Sequence, residues 1–270
     1  MDFTEKTVIV TGASSGIGLA VAREFAARGA QVVLAARSID KLNEVAASLP
    51  RAVAVRCDVS VESDCQALIN AAVERYGGVD ILINNAGLSM RALFDTVDLA
   101  VLHRLMDVNF WGTVYCTKYA LPYIQRSRGS IVGVSSVAGF HGLPARTGYS
   151  ASKFAMQGFL ETIRIENLKR GVHVMVVAPG FTASNVRFSA LTADGSAQGV
   201  SPRAEGKMMS AEKVAQHIAQ GVKRRRREAV LDFDGHATKW LRLLAPRWLD
   251  RLYYNHMAAE PDSPLIQNKK

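Results

Sequence analysis

The chain has 270 residues, of which 49% are hydrophobic and 21% are charged, and its formal net charge is +9. This is enough chain for one large globular domain with a buried sheet, so no second domain is needed. Residues 1–6 lead directly into the first apolar segment, without a basic and apolar leader. We therefore expect no signal peptide and no N-terminal membrane anchor, and a cytoplasmic location.

Three cysteines are present, Cys57, Cys65 and Cys116. Their number is odd and they lie in separate predicted elements rather than in short paired spacings, so we expect reduced packing residues. No cluster of metal-ligating side chains accompanies them, and the sequence predicts no metal site.

Short apolar segments alternate with longer amphipathic segments along the chain. Strands that are apolar on both faces and separated by helices indicate a parallel sheet covered on both sides, and right-handed crossovers then give a doubly wound fold. The pattern predicts an α/β chain with a single Rossmann-type domain of about seven strands. The predicted strands are Thr7–Val10, Val32–Leu34, Ala52–Val55, Ile81–Ile83, Ile131–Val134, Val172–Val177 and Ala229–Leu231.

A glycine-rich turn follows the first predicted strand and precedes a predicted helix. It reads Thr11-Gly12-Ala13-Ser14-Ser15-Gly16-Ile17-Gly18. Glycines remove the side chains that would hold a pyrophosphate away, and the exposed amides at a helix start attract its negative charge. The turn is a candidate phosphate site, with Gly12, Gly16 and Gly18 as its main positions. The alternative is that these glycines only shape a turn.

A second pattern follows the fifth predicted strand, where a serine precedes a helix that carries a tyrosine and a lysine. Tyr149 and Lys153 are four residues apart and therefore lie one above the other on a helix. A nearby cation favours the phenolate, so we expect Lys153 to lower the pKa of Tyr149 towards neutrality. Ser135 and Ser136 are neighbours that point to opposite faces of a strand, so only one of them can reach Tyr149.

Together with three further segments, these motifs resemble those of the short-chain dehydrogenase/reductase family. The segments are Asn84-Asn85-Ala86-Gly87 after the fourth strand, Asn109, and Pro179-Gly180 after the sixth strand. The resemblance spans residues 3 to about 235, and it selects Ser136 rather than Ser135 as the partner of Tyr149. We expect residues 1–235 to form the nucleotide-binding and catalytic domain, and residues 236–270 to form a C-terminal extension.

The resemblance implies hydride transfer between a nicotinamide cofactor and a carbonyl or secondary alcohol. Tyr149 would donate a proton to the carbonyl oxygen, and Ser136 would hydrogen-bond the same oxygen and stabilise its developing charge. Lys153 would hold the nicotinamide ribose, and Asn109 would fix a water that carries the replacement proton. The alternative role of Asn109 is a buried amide that satisfies helix carbonyls.

Cofactor choice is expected at the end of the second strand, where an acidic side chain would hold the ribose diol and reject an added phosphate. Ala36 occupies this position, and Arg37 offers a guanidinium suited to a 2′-phosphate. The sequence therefore favours NADP(H) over NAD(H). The alternative is that Arg37 is only a solvated residue at a helix start.

The resemblance also implies further cofactor contacts. Asp58 would meet the adenine ring, or else cap a helix; Asn85 and Ala86 would line the adenosine side, and Thr182 would face the nicotinamide amide. The expected cofactor-binding residues are Gly12, Ser14, Ser15, Gly16, Ile17, Gly18, Arg37, Asp58, Val59, Asn85, Ala86, Gly87, Tyr149, Lys153, Pro179, Gly180 and Thr182.

Residues 181–210 form a long segment after the sixth strand, rich in Ser, Ala and Gly, that carries Phe181, Val186, Phe188 and Leu191. It fits a mobile lid over an apolar substrate. A disordered surface loop is the alternative.

A basic run, Lys223-Arg224-Arg225-Arg226-Arg227, contributes heavily to the net charge. It lies at a predicted helix end, where the helix dipole favours cations, and it has no interleaved aromatic side chains. We therefore expect no nucleic-acid partner.

The C-terminal extension alternates apolar and basic residues around Pro246, which predicts two short amphipathic helices. Such helices with flanking arginines are typical of a segment that lies in a membrane interface, and lipid-handling hydroxysteroid-type reductases show a similar C-terminal arrangement. The alternative is that the extension packs on the domain, covers the substrate pocket or joins two subunits. No segment approaches the roughly 20 apolar residues of a spanning helix.

Both interpretations of the C-terminal extension imply a bulky apolar carbonyl or alcohol substrate, such as a lipid or steroid. The main alternative substrate is a 3-oxoacyl thioester. The alternative function is a non-catalytic NADP(H)-binding scaffold, although a binding role needs no proton donor. The resemblance further implies a homodimer or homotetramer, formed through the helix around residues 97–126 and the helix that carries Tyr149.

Overall fold

The computed structural model describes residues 3–180, 182, 188–199 and 208–267. Within these residues the centre is a sheet of seven strands, and every pair of neighbours is parallel. The seven predicted strands are thereby confirmed. They are β1 (Thr7–Thr11), β2 (Gln31–Ala36), β3 (Ala52–Arg56), β4 (Ile81–Asn84), β5 (Ser130–Val134), β6 (His173–Ala178) and β7 (Glu228–Val230).

The strand order across the sheet is β3-β2-β1-β4-β5-β6-β7. The chain begins in the middle, builds one half outwards from β1 to β3, and then builds the other half from β4 to β7. The order reverses between β1 and β4, and open parallel sheets bind ligands beyond the carboxyl ends of their strands at such a point. The predicted doubly wound Rossmann-type fold is confirmed.

Helices cover both faces of this sheet. They are α1 (Gly16–Ala27), α2 (Ile39–Ala47), α3 (Glu62–Tyr76), α4 (Leu99–Met106), α5 (Gly112–Ser127), α6 (Thr147–Glu166), α7 (Ala211–Lys223), α8 (Phe233–Leu244), α9 (Pro246–Ala258) and the short α10 (Pro264–Gln267). A π-helical turn, Asp107–Trp111, joins α4 to α5, and single 3-10 turns lie at Val137–Gly139 and Leu168–Arg170.

Both faces of the sheet are apolar because successive side chains alternate between them. Val8 and Val10 of β1 are buried in a cluster with α1 and α7, whereas Ile9 between them is buried in a cluster with α3, α5 and α6. This double burial explains why the strands are continuous apolar segments in the sequence. It also leaves the carboxyl ends of the strands as the place where polar side chains gather.

The three cysteines lie in the cluster beneath α3 and α5, and all are buried free thiols, as predicted. A hydrogen bond with Cys65 and burial raise the pKa of the Cys57 thiol. This thiol therefore stays protonated and acts as a packing group.

The basic run lies at the end of α7, as predicted, and part of it is used for contacts within the chain. Arg225 donates to the carbonyl oxygens of Arg128 and Gly171, and Arg227 pairs with Glu161 at 2.6 Å. These contacts join the loops at the amino ends of β5, β6 and β7.

Part of the predicted lid lies outside the described residues, including Phe181 and Val186. In the described part, Leu191 is buried against the segment after β4, since its amide donates to the Ser89 carbonyl at 2.9 Å. Phe188 is exposed. Residues 188–199 are therefore docked beside the sheet edge that holds the site.

The C-terminal extension forms the two predicted helices, α8 and α9, and Pro246 begins the second of them. Its first helix already begins at Phe233, ahead of the predicted boundary at residue 236. Thr238, Leu249 and Met257 are buried, and Met257 lines a cavity at the sheet edge. In the part of the chain that the structure describes, no helix combines the length and apolar character needed to cross a membrane.

Candidate active site

A cavity of about 380 Å³ opens beyond the carboxyl ends of β1, β2, β4, β5 and β6. Three of the four predicted catalytic residues line it, Ser136, Tyr149 and Lys153. It is also lined by every expected cofactor residue except Gly18. The expected cofactor residues on its wall are Gly12, Ser14, Ser15, Gly16, Ile17, Arg37, Asp58, Val59, Asn85, Ala86, Gly87, Tyr149, Lys153, Pro179, Gly180 and Thr182.

The glycine turn forms one end of the cavity, between β1 and α1. Gly12 and Gly16 have φ angles of +67° and +54°, which favour glycine. A side chain on Gly12 would also meet the Ala86 backbone at 3.0 Å. The Ser15 side chain makes no capping bond to the start of α1, so the first amides of this helix face the cavity side of the turn without an internal cap.

Gly18 lies behind this turn rather than on the cavity wall. A Cβ atom there would stand 2.2 Å from the Gly12 carbonyl oxygen and 2.5 Å from Asn85 Nδ2. Gly18 therefore lets α1 pack closely on the turn, and its contribution to a cofactor site is indirect.

Asn85 and Thr11 tie the end of β4 to the glycine turn. Asn85 Nδ2 donates to the Thr11 carbonyl at 2.9 Å, while Thr11 Oγ1 accepts from the amides of Asn85 and Ala86 at 3.0 Å. These bonds hold the two strand ends on either side of the topological switch point in one fixed arrangement.

Arg37, Ala36 and Asp58 lie at the far end of the cavity from Tyr149, after β2 and β3. Asp58 Oδ1 accepts from the amide and the hydroxyl of Ser60 at 3.0 and 2.7 Å. These bonds fix the turn before α3 but do not cap that helix, whose N-cap is Val61. Burial raises the pKa of Asp58, but the bonds from Ser60 and the charge of Arg37 outweigh it and lower the pKa. Asp58 is thus a negatively charged carboxylate near the Arg37 guanidinium.

Tyr149 lies in the first turn of α6 and lines the middle of the cavity. Burial raises the pKa of its phenol above 10.0, while the hydrogen bond with Ser136 and the positive charge of Arg146 oppose that rise. The expected lowering of the Tyr149 pKa by Lys153 is therefore wrong: this pKa is raised, and Lys153 is not among the groups that oppose the rise. Desolvation is the larger effect, and Ser136 and Arg146 are the groups that offset it.

Lys153 follows one turn later on α6, and its side chain is only 3% exposed. Its ammonium donates to the Val134 carbonyl oxygen at 2.9 Å and stands 5.9 Å from the centre of the Tyr149 ring. Burial lowers the pKa of Lys153 from 10.5 to about 8. The ammonium is therefore held at the end of β5 rather than against the phenol.

The two serines after β5 both line the cavity, but their hydroxyls have different partners. The Ser136 hydroxyl accepts from the Ala138 amide at 3.2 Å. Ser135 Oγ accepts from Gln157 Nε2 at 2.8 Å. Ser136 is the serine whose hydroxyl hydrogen-bonds the Tyr149 phenol.

Asn109 lies in the π-helical turn between α4 and α5 and is fully buried behind the cavity. Its amide nitrogen donates to the Leu88 carbonyl at 3.0 Å and to Ser152 Oγ at 2.8 Å, and its oxygen accepts from the Leu88 amide at 2.7 Å. Both amide donors are thus used within the chain, which is the alternative role stated for Asn109. Its role in a water relay stays a prediction.

The sequence patterns missed a group of residues around the Tyr149 end of the cavity. Arg146 precedes α6 next to the tyrosine motif, and Met257 and Glu260 come from the C-terminal extension. The position of the last two agrees with the stated alternative that the extension packs on the domain and covers the pocket, although no local pattern marks these two residues individually. Ser189, Ala190 and Gln198 come from the predicted lid. The lining residues that the sequence did not single out are Ser38, Cys57, Leu88, Ser89, Val108, Val134, Leu143 and Arg146.

The cavity fits a dinucleotide. Its glycine turn leaves room that a side chain would fill, an α-helix begins there, and a guanidinium lies beyond the second strand. The turn would hold the pyrophosphate, the β2 end would hold the adenosine ribose, and Lys153 would hold the nicotinamide ribose.

Comparisons with known proteins agree with this geometry. Residues 6–194 match the family model described as short chain dehydrogenase, and the chain belongs to the short-chain dehydrogenase/reductase family. Dehydrogenase/reductase SDR family member 7B of Rattus norvegicus is 37% identical over 268 residues, which cover 95% of this chain and 82% of the relative. The resemblance seen in the sequence is confirmed.

Another relative is 11-beta-hydroxysteroid dehydrogenase 1A of Arabidopsis thaliana, 42% identical over 187 residues. The match covers 67% of this chain and 53% of that relative, so the chain spans about half the length of the plant protein. Among solved structures, a short-chain dehydrogenase/reductase from Burkholderia phymatum in complex with NAD gives a TM-score of 0.81 at 26% identity. That match covers 92% of this chain and 96% of the other.

The buried ammonium of Lys153 predicts a stability gain from its removal. Its pKa of about 8 lies below 10.5, so below pH 8 the folded chain must protonate a buried amine, at a cost of about 3 kcal/mol. Lys153→Met should raise the free energy of unfolding at pH 7 by about 2 kcal/mol, since Val134 also loses a hydrogen bond. The gain should vanish as the pH rises from about 8 to above 10.

Urea denaturation at pH 7 and above pH 10 measures this difference. Lys118→Met, at an exposed position of α5, is the matched control and should change stability little at either pH. A Lys153→Met protein that is less stable than the unsubstituted chain at pH 7 would contradict the free-energy cost assigned to the buried Lys153 ammonium.

Proposed function

We propose that the protein is an NADP(H)-dependent oxidoreductase that interconverts a bulky apolar carbonyl compound and its secondary alcohol. The observation that supports it best is the meeting of Ser136, Tyr149 and Lys153 in the cavity that also contains the glycine turn. A hydroxyl, a phenol and an ammonium beside a dinucleotide site are the groups that carbonyl reduction requires.

The chain's own residues would supply the proton chemistry. A nicotinamide cofactor, when bound, would supply the hydride for the carbonyl carbon. Ser136 hydrogen-bonds the carbonyl oxygen, and Tyr149 gives that oxygen its phenolic proton. Because burial keeps the pKa of Tyr149 high, the phenol is protonated at neutral pH and is ready as an acid. In the reverse direction the phenolate accepts the alcohol proton.

The end of β2 supports NADP(H) over NAD(H). Ala36 and Arg37 both line the cavity, and no acidic side chain occupies the position of Ala36. A guanidinium forms charge-assisted bonds to a 2′-phosphate, whereas a carboxylate there would repel it. Asp58 is close enough to Arg37 for the guanidinium charge to lower the pKa of the carboxyl group.

The substrate end supports an apolar substrate with a polar reacting group. Leu88, Leu143, Ala190 and Met257 contribute apolar surface to the cavity near Tyr149. The two relatives compared above include one named for hydroxysteroids. We infer a lipid or steroid carbonyl as the substrate class, with the described part of the 181–210 segment and the C-terminal extension as its walls.

We further infer that α8 and α9 contact a membrane surface. Phe233, Trp240 and Leu244 follow helical spacing on α8, and Trp248 and Leu252 follow it on α9, and all five are exposed. Arg247 and Arg251 are exposed beside them. An apolar stripe next to arginines suits the interface of an anionic bilayer, from which an apolar substrate could enter the cavity.

Self-association stays a prediction of the family resemblance. Leu99 on α4 and Trp111 before α5 are exposed apolar residues on the predicted contact helices, 60% and 42% exposed. They are consistent with a homodimer or homotetramer formed there.

Turnover of a graded panel of carbonyls tests the reaction. We expect NADPH consumption to rise with apolar size, and Tyr149→Phe to lower kcat by at least roughly 100-fold, because it removes the proton donor. Cofactor affinity, measured by quenching of protein fluorescence, should stay within roughly threefold, because Phe keeps the ring in place. Retention of full turnover by Tyr149→Phe would refute the assigned acid.

Cofactor preference is tested at Arg37. Arg37→Gln should weaken NADPH binding by roughly 10- to 100-fold, the value of one or two lost charge-assisted hydrogen bonds, and leave NADH binding nearly unchanged. Arg56→Gln, which removes a neighbouring exposed arginine at the end of β3, is the control. Equal losses for both cofactors would argue against a 2′-phosphate contact.

Membrane contact is tested with sedimentation of vesicles. The unsubstituted chain should bind phosphatidylserine-containing vesicles more tightly than pure phosphatidylcholine vesicles. Leu243→Ser with Leu244→Ser, at side chains 74% and 78% exposed, should weaken binding by roughly 10-fold or more. Leu168→Ser, at an exposed leucine outside the C-terminal extension, is the control. Unchanged binding of the double variant would exclude α8 as the contact.

A further inference from the structure

The C-terminal extension makes its contacts with the domain at the loops that flank the site. On α8, Arg242 Nη1 donates to the Phe140 carbonyl at 2.7 Å. Its guanidinium also lies 5.2 Å from the centre of the Phe154 ring. Phe140 follows the turn that Ser136 begins, and Phe154 is the residue after Lys153.

The second helix of the extension, α9, also contacts the loop between Ser136 and Tyr149. Asp250 on α9 pairs with His141 at 3.5 Å, and the Tyr253 ring lies against the His141 ring with 5.1 Å between centres. The loop between Ser136 and Tyr149 is therefore held from one side by both helices.

Glu260, just beyond α9, reaches the cavity itself. Its side chain is 5% exposed, and one carboxylate oxygen, Oε2, stands 3.5 Å from Arg91 Nε and 3.7 Å from Arg146 Nη2. Arg91 also donates to the carbonyl of the next residue, Pro261. Two partly buried guanidinium groups thus share one carboxylate from the end of the chain.

Arg146 is placed for this contact by its backbone. The preceding Ala145 has a φ of +58°, a left-handed conformation that is unfavourable for alanine. Its carbonyl accepts from the Ala92 amide at 3.1 Å, which joins this turn to the loop that carries Arg91. Such strained turns persist where surrounding contacts fix them. Arg146 is therefore presented at the start of α6, on the wall that Tyr149 shares.

We propose that Glu260 is a positioning residue: its carboxylate holds the Arg146 guanidinium beside Tyr149, so that docking of the C-terminal extension completes the proton-donating site. The proposal deepens the function inferred above and rests on it, since it takes Tyr149 as the proton donor. It assigns to the extension a part in the chemistry, in addition to its contact with substrate or membrane.

The charged groups around Tyr149 determine in which direction this arrangement shifts the pKa of its phenol. Lys153 lies on the same helix with its ammonium bound to the β5 end. Ser136 after β5, Arg146 at the start of α6 and Glu260 in the C-terminal extension line the same cavity as Tyr149. The charge of Arg146 lowers the pKa of the Tyr149 phenol, against the effect of burial. Glu260 acts on the phenol through the arginine that it holds.

Arg91 contributes a second positive charge beside the Glu260 carboxylate. With Arg91 and Arg146 against Glu260, this cluster of three side chains carries one net positive charge. A single carboxylate can therefore fix Arg146 without cancelling its effect on a phenolate, because the second guanidinium offsets the carboxylate charge.

The test is the ionisation of Tyr149, followed by tyrosinate absorbance as the difference between each protein and its Tyr149→Phe counterpart. Arg146→Gln should move the midpoint of this titration to higher pH, because a stabilising cation is lost. Glu260→Gln should also move it to higher pH, since the guanidinium is released. The double variant should titrate like Arg146→Gln alone, because both changes act through one group.

A midpoint that Glu260→Gln leaves unchanged or lowers, or effects of the two substitutions that simply add, would overturn the proposal. Asp262→Asn is the matched control: it removes a carboxylate from the same segment at an exposed position, and the midpoint should stay in place. Melting curves of every variant report any change in stability separately.

If Glu260→Gln does not fold, Glu260→Asp keeps the charge and withdraws it by one methylene. It should displace the midpoint upwards by less than Arg146→Gln does, and an unchanged midpoint would again overturn the proposal. The titration requires no substrate. Failure of the proposed function would show as carbonyl turnover that does not need Tyr149, and it is thus distinguishable from failure at Glu260.

Discussion

The Lys153 ammonium lies buried at the carboxyl end of β5, where the Val134 carbonyl is its hydrogen-bond acceptor. Removing a charge from water is unfavourable, and the lowered pKa of Lys153 expresses that cost. The position is maintained because Met156 and Leu160, on the same helix, are buried against the sheet. Tyr149, one turn earlier, is thereby fixed over the cavity, and the site is built around this anchored first part of α6.

The opposite end of the cavity is fixed by the same sheet. The glycine turn after β1 and the polar segment after β4 are joined through Thr11 and Asn85, so the two sides of the topological switch point are held in one fixed arrangement. The C-terminal extension supplies the remaining wall through Met257 and Glu260. Its inner face is packed on the loops around the site, while its outer face leaves Trp240, Leu244 and other apolar side chains exposed. The C-terminal extension thus lines the cavity on its inner side and presents an apolar surface on its outer side.

Local patterns in the sequence were enough to predict the seven strands and the glycine turn, because each depends on residues close together in the chain, whereas the family resemblance was needed to select Ser136 over Ser135. The effect of Lys153 on Tyr149 was not predictable from their spacing, since the pKa depends on burial and on a carbonyl from β5. The bonds of Asn109 depend on a π-helical turn, and the pairing of Arg146 with Glu260 joins distant parts of the chain. Such contacts form only in the folded chain, so no sequence motif predicts them.

Transfer of deuterium tests the central claim most directly: that this cavity delivers hydride to a carbonyl carbon while Tyr149 protonates the oxygen. NADPH carrying deuterium at the transferable position of the nicotinamide would be incubated with the protein and a bulky apolar ketone, and the alcohol examined by mass spectrometry. We predict an alcohol that carries one deuterium on the former carbonyl carbon, formed by the unsubstituted protein and not by Tyr149→Phe. NADPH oxidation without deuterium in any alcohol product would contradict the account.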